Sequence, residues 1–246
     1  MKRKILFNLL ACGILLGGMP VYGQSSSFTC SYFTDDIWYF GTGGGGIAFN
    51  RNSGGEKVAV SASGESLVNV AENALSVSSP GCGSSLIFYS QHDRLYNAKH
   101  EVMQAGDFTG HQSVADGLAA CYIGGNKYML FSVTHAYEEM ASVAAQLQYH
   151  IIDMNEDGGY GKRIDTKTLE TTDMSESVEL IPVPGTSDQY WLVYNMLSPL
   201  NEIRVRKITG NSVSDVLKTL SMSGHVSSSL SYHLKDNSKY NMPAMA

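Results

Sequence analysis

Apolar residues fall in runs of four to eight along residues 36–234, broken by clusters of Gly, Ser, Asn, Asp and Pro rather than arranged as helical stripes. Alternation with a period of two, and short apolar runs bounded by turn formers, predict β-strands. One unit recurs: a weakly apolar strand, a turn, an aromatic-rich strand, a second turn and an alternating strand. Its first copy runs through Ala74–Val77, Leu86–Ser90 and Arg94–Asn97. The second takes Gly117–Ile123, Lys127–Ser132 and Leu147–Met154; the third takes Val178–Ile181, Gln189–Tyr194 and Glu202–Ile208. A fourth begins at Ser229–Leu234. Ser79-Pro80-Gly81, Gly124-Gly125-Asn126 and Pro184 to Asp188 mark turns between strands.

The aromatic strands begin at 86, 127 and 189, a spacing of about 40 to 60 residues. Irregular repeats of this length, each of about four strands, predict β-propeller blades; a β-sandwich is the competing all-β architecture. Repetition of the element order selects an all-β, propeller-like domain over 36–246, with about three four-stranded blades and a partial one. A closed ring needs ~4–8 blades, so this count predicts an incomplete propeller. Upstream, Asp36–Gly41 and Ile47–Asn50 flank the Gly43–Gly46 run as two more strands, and Lys57–Val60 is a third. Tyr137–Gln148 stands apart: its helix formers predict a helical turn in a loop.

Residues 1–23 break the pattern. Lys2-Arg3-Lys4 precedes an apolar stretch from Ile5 to Gly18, and Val21-Tyr22-Gly23 ends it with a small residue before polar Gln24. This layout predicts a cleavable export signal followed by a Ser-rich start, 24–35. The apolar run is shorter than the ~20 residues of a spanning helix, and no transmembrane segment is predicted after cleavage. Leu9-Leu10-Ala11-Cys12 offers a second route, lipidation at Cys12. The expected location is periplasmic, on the outer cell surface or extracellular.

Charge changes the list of partners. The chain carries a net −6, and loss of Lys2, Arg3 and Lys4 takes it to −9. An acidic chain with no Lys/Arg cluster excludes nucleic acid as the expected partner, because phosphate binding needs basic patches. Export permits disulfides; Cys30, Cys82 and Cys121 allow one bridge at most, and spacing does not select the pair.

Several segments, in order, resemble a known family. Ile37-Trp38-Tyr39-Phe40-Gly41 with Gly46-Ile47-Ala48-Phe49-Asn50 resembles its "WYFG…G…FN" opening, and Leu86–Ser90 its "LLFYT". Asn97–Met103 resembles "NxxHxVM", Gly110–Ser113 "GHxS", Tyr149–Gly161 "YSxxDMNxxGGxG", and Asp188–Val193 "DYWVI". These segments are similar to the N-terminal propeller-like (WD40-like) region of large secreted surface proteins of gliding bacteria, many with a C-terminal type IX secretion signal. The resemblance spans roughly 36–235 and implies an exported, cell-surface or adhesin-like protein. It departs at Gln91-His92, where the family has a glycine turn, and no segment resembling a sorting domain follows His233–Lys239.

Candidate chemistry is sparse. Asp153-Met154-Asn155-Glu156-Asp157-Gly158 opens like a calcium loop, with oxygens of Asp153, Asn155 and Asp157 at alternate positions before a glycine. The twelfth place, where a bidentate Glu belongs, is Ile164; a plain Asx turn accounts for the same residues. No other cofactor is expected. His100-Glu101-Val102-Met103-Gln104 lacks the second histidine of a zinc helix, and G-x-S-x-G is absent. Trp38, Trp191 and the tyrosines are expected to pack between blades. The resulting expectation is a non-catalytic binding module for a protein or glycan at the cell surface. Two alternatives stand beside it: a carbohydrate-active propeller enzyme, to be recognised by several of His92, Asp93, His111, His135 and Asp153 converging in one pocket, and a non-functional fragment of a larger surface protein.

Overall fold

A computed structural model describes residues 36–51, 57–63, 66–69, 72–79, 85–135, 145–171, 174–196 and 202–221. The export signal, the Ser-rich start, Cys12, Cys30, Cys82 and the strand expected at 229–234 lie outside the described residues. The described chain is built of strands, and their order is that of a propeller-like all-β fold.

Four meanders follow one another. The first is β1 (Ile37–Tyr39), β2 (Gly46–Arg51) and β3 (Lys57–Ser63). The second is β4 (Ala74–Ser78), β5 (Leu86–Gln91), β6 (Arg94–Asn97) and β7 (Val102–Asp107). The third is β8 (Leu118–Gly124), β9 (Lys127–Val133), β10 (Leu147–Asp153) and β11 (Lys162–Glu170). The fourth is β12 (Met174–Pro182), β13 (Gln189–Met196) and β14 (Glu202–Thr209), with short β15 (Ser212–Val213) and β16 (Lys218–Ser221) both on the free edge of β14. The second and third meanders join into one eight-stranded sheet through a single parallel pairing, Lys162 of β11 with Gln104 of β7.

The first strands of the meanders lie side by side, β4 against β8 and β8 against β12. Hydrogen bonds cross between them: Asn73 Nδ2, just before β4, donates to His111 O (3.0 Å) ahead of β8, and Val178 N–H within β12 donates to Asp116 O (3.2 Å). Successive four-stranded units with adjoining inner strands are the blade arrangement. Three of the units match the recurring sequence units; β1–β3 form a further, three-stranded unit at the N-terminal side, and the partial unit expected at 229–234 lies outside the described residues.

Each seam between neighbouring meanders holds one apolar cluster. Ile37, Tyr39, Val68, Tyr89 and Tyr96 fill the first. Val77, Phe88, Leu95, Met103, Leu130 and Ile152 lie in the second. The third is the largest, with Met129, Phe131, Leu147, Met174, Leu192 and Tyr194 among its members. Full burial of one such side chain contributes about 1.5–3 kcal/mol.

The aromatics divide. Tyr89, Tyr128 and Tyr194 are fully buried as expected, with Tyr89 stacked on Tyr96 (centroids 4.9 Å). Trp38 does not pack in a seam; it is 43% exposed and meets Phe49 edge-on at 5.0 Å. Strand alternation puts Ile37 and Tyr39 inward, so Trp38 points to the opposite face. Trp191 is half-buried, with Lys207 Nζ 5.6 Å from its ring centre. Most of the expected helical segment, 137–144, lies outside the described residues, and Leu147 and Gln148 open strand β10.

Candidate functional site

Strand β7 carries a bulge, visible as a register shift between Arg94 and Tyr96 on its partner. Ala105 sits at φ 53° and Gly106 follows it. A Cβ on Gly106 would stand 2.7 Å from Met103 O and 2.9 Å from Leu95 O, so only glycine fits. The left-handed Ala105 is a locally unfavourable conformation that the surrounding bonds must hold.

Arg163 of β11 supplies those bonds. Its Nε donates to Ala105 O (2.7 Å) and its Nη2 to Asp107 O (2.7 Å). Nη1 donates to Thr166 Oγ1 (2.5 Å). Thr166 Oγ1 in turn lies 2.9 Å from His150 Nδ1, and His150 Nε2 lies 2.9 Å from Ser132 Oγ. His150 and Ser132 are fully buried, and Phe108 tilts against the imidazole at 4.8 Å.

These residues surround a recess of about 420 Å³, open to solvent at the seam of β7, β10 and β11 and lined by Asp107, Phe108, Thr109, Gln148, Arg163 and Thr166, with His150 at its base. Burial, reinforced by the Arg163 cation, pushes the His150 imidazole down to about 3, so it is neutral at pH 7. A neutral imidazole donates from one nitrogen and accepts at the other. One ring nitrogen therefore donates and the other accepts, across the contacts to Thr166 Oγ1 and Ser132 Oγ.

Ser132 and His150 are within hydrogen-bond reach, as a nucleophile and base must be. The rest of a triad is missing: the group on Nδ1 is a threonine rather than a carboxylate, and Ser132 is shut away from solvent. The arrangement holds the floor of the recess rigid and leaves the ring of Phe108, the amide of Gln148 and the carboxylate of Asp107 at its rim. Asp107 Oδ1 also accepts from Arg94 Nε at 2.6 Å.

The calcium-like loop is an Asx turn tied to a lysine. Asp153, at the end of β10, accepts from Asn155 N–H (3.0 Å) and Asn155 Nδ2 (2.9 Å), and its other oxygen meets Lys127 Nζ at 3.1 Å. The Asn155 N–H, then Lys127, hold the Asp153 carboxyl below its usual range against the opposing effect of burial. Asn155 Oδ1 accepts from Asn126 Nδ2 (3.3 Å), and Asp157 is exposed at φ 50° in a 3₁₀ turn, Asp157–Gly159. Among the described residues no three His, Cys, Asp or Glu side chains gather at metal-binding separation.

Of the five residues named as an enzyme's signature, His92 and Asp93 lie close to His111, bridged by Asn73, which accepts from His92 N–H (2.9 Å) and donates to His111 O (3.0 Å), while Asp153 stands apart from His135. His92 Nε2 lies 3.1 Å from Asp93, and His135 Nδ1 lies 2.9 Å from Thr134 Oγ1. His111 Nδ1 accepts from Ser113 N–H at 3.3 Å. Asp153 is at the far end of the β9–β10 pair from His135, since Asp153 pairs with Lys127 and Leu147 with Val133. Cys121 is a buried free thiol, raised by burial far above thiolate formation. No helix among the described residues is long and apolar enough to cross a membrane.

Sequence reasoning missed His150, Arg163 and Thr166. The available signal was weak: a histidine inside an otherwise apolar strand, and an outer strand, Lys162–Glu170, with no apolar alternation. The chain matches no family model, no curated protein and no solved structure.

Proposed function

We propose that this chain is an exported, non-catalytic binding module of a cell-surface or adhesin-like protein, and that the recess at the β7–β10–β11 seam receives its ligand. The observation that carries this reading is the composition of the recess: an aromatic ring, an amide, a carboxylate and two threonine hydroxyls around a floor fixed by Arg163. Such a mixture, one apolar face with a few placed polar groups, suits a polar ligand with an apolar side, a glycan or a peptide segment. The buried, neutral His150 fits a positioning role better than proton transfer, because a general base works best with a pKa near the operating pH.

The test is a glycan array followed by calorimetry on the purified chain, the parent beside Gln148→Ala and Phe108→Ala. Binding by the parent that both variants weaken tenfold or more, with unchanged melting, supports the reading. Ligand binding that neither variant alters would move the site elsewhere, and turnover of a bound glycan would replace the binding reading by the enzyme. Export is checked separately: mass spectrometry of protein secreted from a bacterial host should find Gln24 at the N-terminus.

A further inference from the structure

The sheet of β12–β16 is apolar on both faces. Directly paired residues of an antiparallel sheet point to the same side, so the register sorts the side chains. Val178, Leu180, Leu192, Tyr194, Met196 and Ile208 point to the β8–β11 meander and belong to its seam. The other side reads in three cross-strand rows. Ile181 pairs with Trp191, and Trp191 with Lys207. Glu179, Val193, Val205 and Lys218 form the second row. Asn195, Ile203 and Leu220 form the third. Ile181 and Leu220 are 46% and 47% exposed, and Trp191, Val193, Ile203 and Val205 are half-buried.

A sheet with one solvated face carries polar residues there. Six apolar side chains on this face instead describe a surface made to be covered. The charges name the cover. The second row runs acid, Val, Val, base. A two-fold axis lying in the contact plane along the strands, between β13 and β14, lays this row on its own reverse. Glu179 of each copy then faces Lys218 of the other, Val193 faces Val205, and Trp191 faces Lys207, a cation over an aromatic ring. A self-complementary patch is what a two-fold interface requires, and the two-fold dimer is the commonest oligomer.

We infer that the outer face of the β12–β16 sheet binds a second copy of this chain, two sheets packing face to face as in a sandwich, ~10 Å apart. This contact is separate from the recess and goes beyond the ligand-binding reading.

Sedimentation equilibrium of the purified chain tests it, because the paired charges are exposed and their reversal leaves the fold intact. The parent is expected to dimerise reversibly. Glu179→Lys and Lys218→Glu should each weaken the dimer about tenfold, since symmetry places two like-charge contacts in every homodimer. Mixing the two variants should restore association, because both cross-contacts become attractive. A parent that stays monomeric at all concentrations overturns the proposal, and a monomer whose Trp191 becomes quenchable only after deletion of 222–246 assigns the face to the chain's own segment instead. A dimer indifferent to both reversals, or variants that do not pair on mixing, also overturns it.

Discussion

On one side of the β8–β11 meander, the rim of the seam is closed by hydrogen bonds to neutral partners: Ser132 with His150, His150 with Thr166, and the Arg163 cation reaching across to the carbonyls of Ala105 and Asp107. On the other side, the rim is closed by charge. Glu170 accepts from Tyr194 Oη (2.5 Å), Arg206 Nη2 (2.7 Å) and Arg204 Nη1 (3.0 Å), while Glu202 holds Arg204 from behind at 3.2 Å. Glu170 and Arg206 have side chains only 11% and 12% exposed. Both seams share an apolar centre, so the comparison isolates what the rim does. The first rim borders an open recess with a fixed floor; the second, built of ion pairs, serves as a clamp between meanders.

The centres should be alike and the rims unlike. Phe88→Ala in one seam and Phe131→Ala in the other each remove a fully buried ring, and each should cost about 3–5 kcal/mol by denaturant unfolding. Unequal losses, with one variant near neutral, would mean that one seam is not a continuous core. Next in size, Glu170→Gln keeps the shape of the charged rim but strands Arg204 and Arg206 without their shared anion. A cost of roughly 3 kcal/mol is expected, because an uncompensated buried charge is expensive. A change below half of that would show that solvent reaches the cluster.

Acid separates the rims. The His150 imidazole falls from 6.5 to about 3 on folding, so the unfolded chain binds the extra proton between those values. Stability is therefore full above pH 6.5 and declines as pH falls, by about 1.4 kcal/mol per unit from this group. Burial raises Glu170, but its bonds to Tyr194 and Arg206 outweigh that and hold it below 4.5. Its contribution is present above 4.5 and is lost only as pH falls through its lower folded value. An unfolding series at pH 7, 6 and 5 should thus report the His150 rim rather than the Glu170 rim. In His150→Leu the decline over that window should flatten; an unchanged slope would assign it to another group.

The same contrast explains what the sequence showed. The inner and middle strands were readable because they are buried: Leu86–Gln91, Lys127–Val133 and Gln189–Met196 lie where their aromatics and aliphatics indicate. The outer strands were not. Lys162–Glu170 is polar at nearly every position and mostly exposed, so it carries no period-two pattern, and it forms through pairing with β10. Val102–Asp107 pairs across a bulge, which breaks alternation. Because the recess lies between these two outer strands, the site was hidden for the reason the strands were. His150 was hidden differently: a histidine becomes a neutral positioning group only when partners from β9 and β11 close around it. Trp38 was misread because an aromatic strand has two faces, and composition does not say which one meets a neighbour.

The smallest effect concerns the turn at Asp153, where the sequence offered a calcium loop and the structure places a lysine on the carboxylate. The Lys127 ammonium and the Asn155 amide already engage both Asp153 oxygens, so a calcium ion there would compete with the lysine's charge. Asp153→Asn keeps the turn's hydrogen-bond acceptor and loses the ion pair, which with its lysine 30% exposed is worth about 1 kcal/mol or less. Lys127→Ala removes the competing cation. Millimolar calcium should then raise the melting temperature of Lys127→Ala more than that of the parent chain, measured by calorimetry with magnesium as the control. Equal shifts in the two proteins would show that Lys127 does not compete for the carboxylate, and that a cation at this loop, if bound, is held by other oxygens.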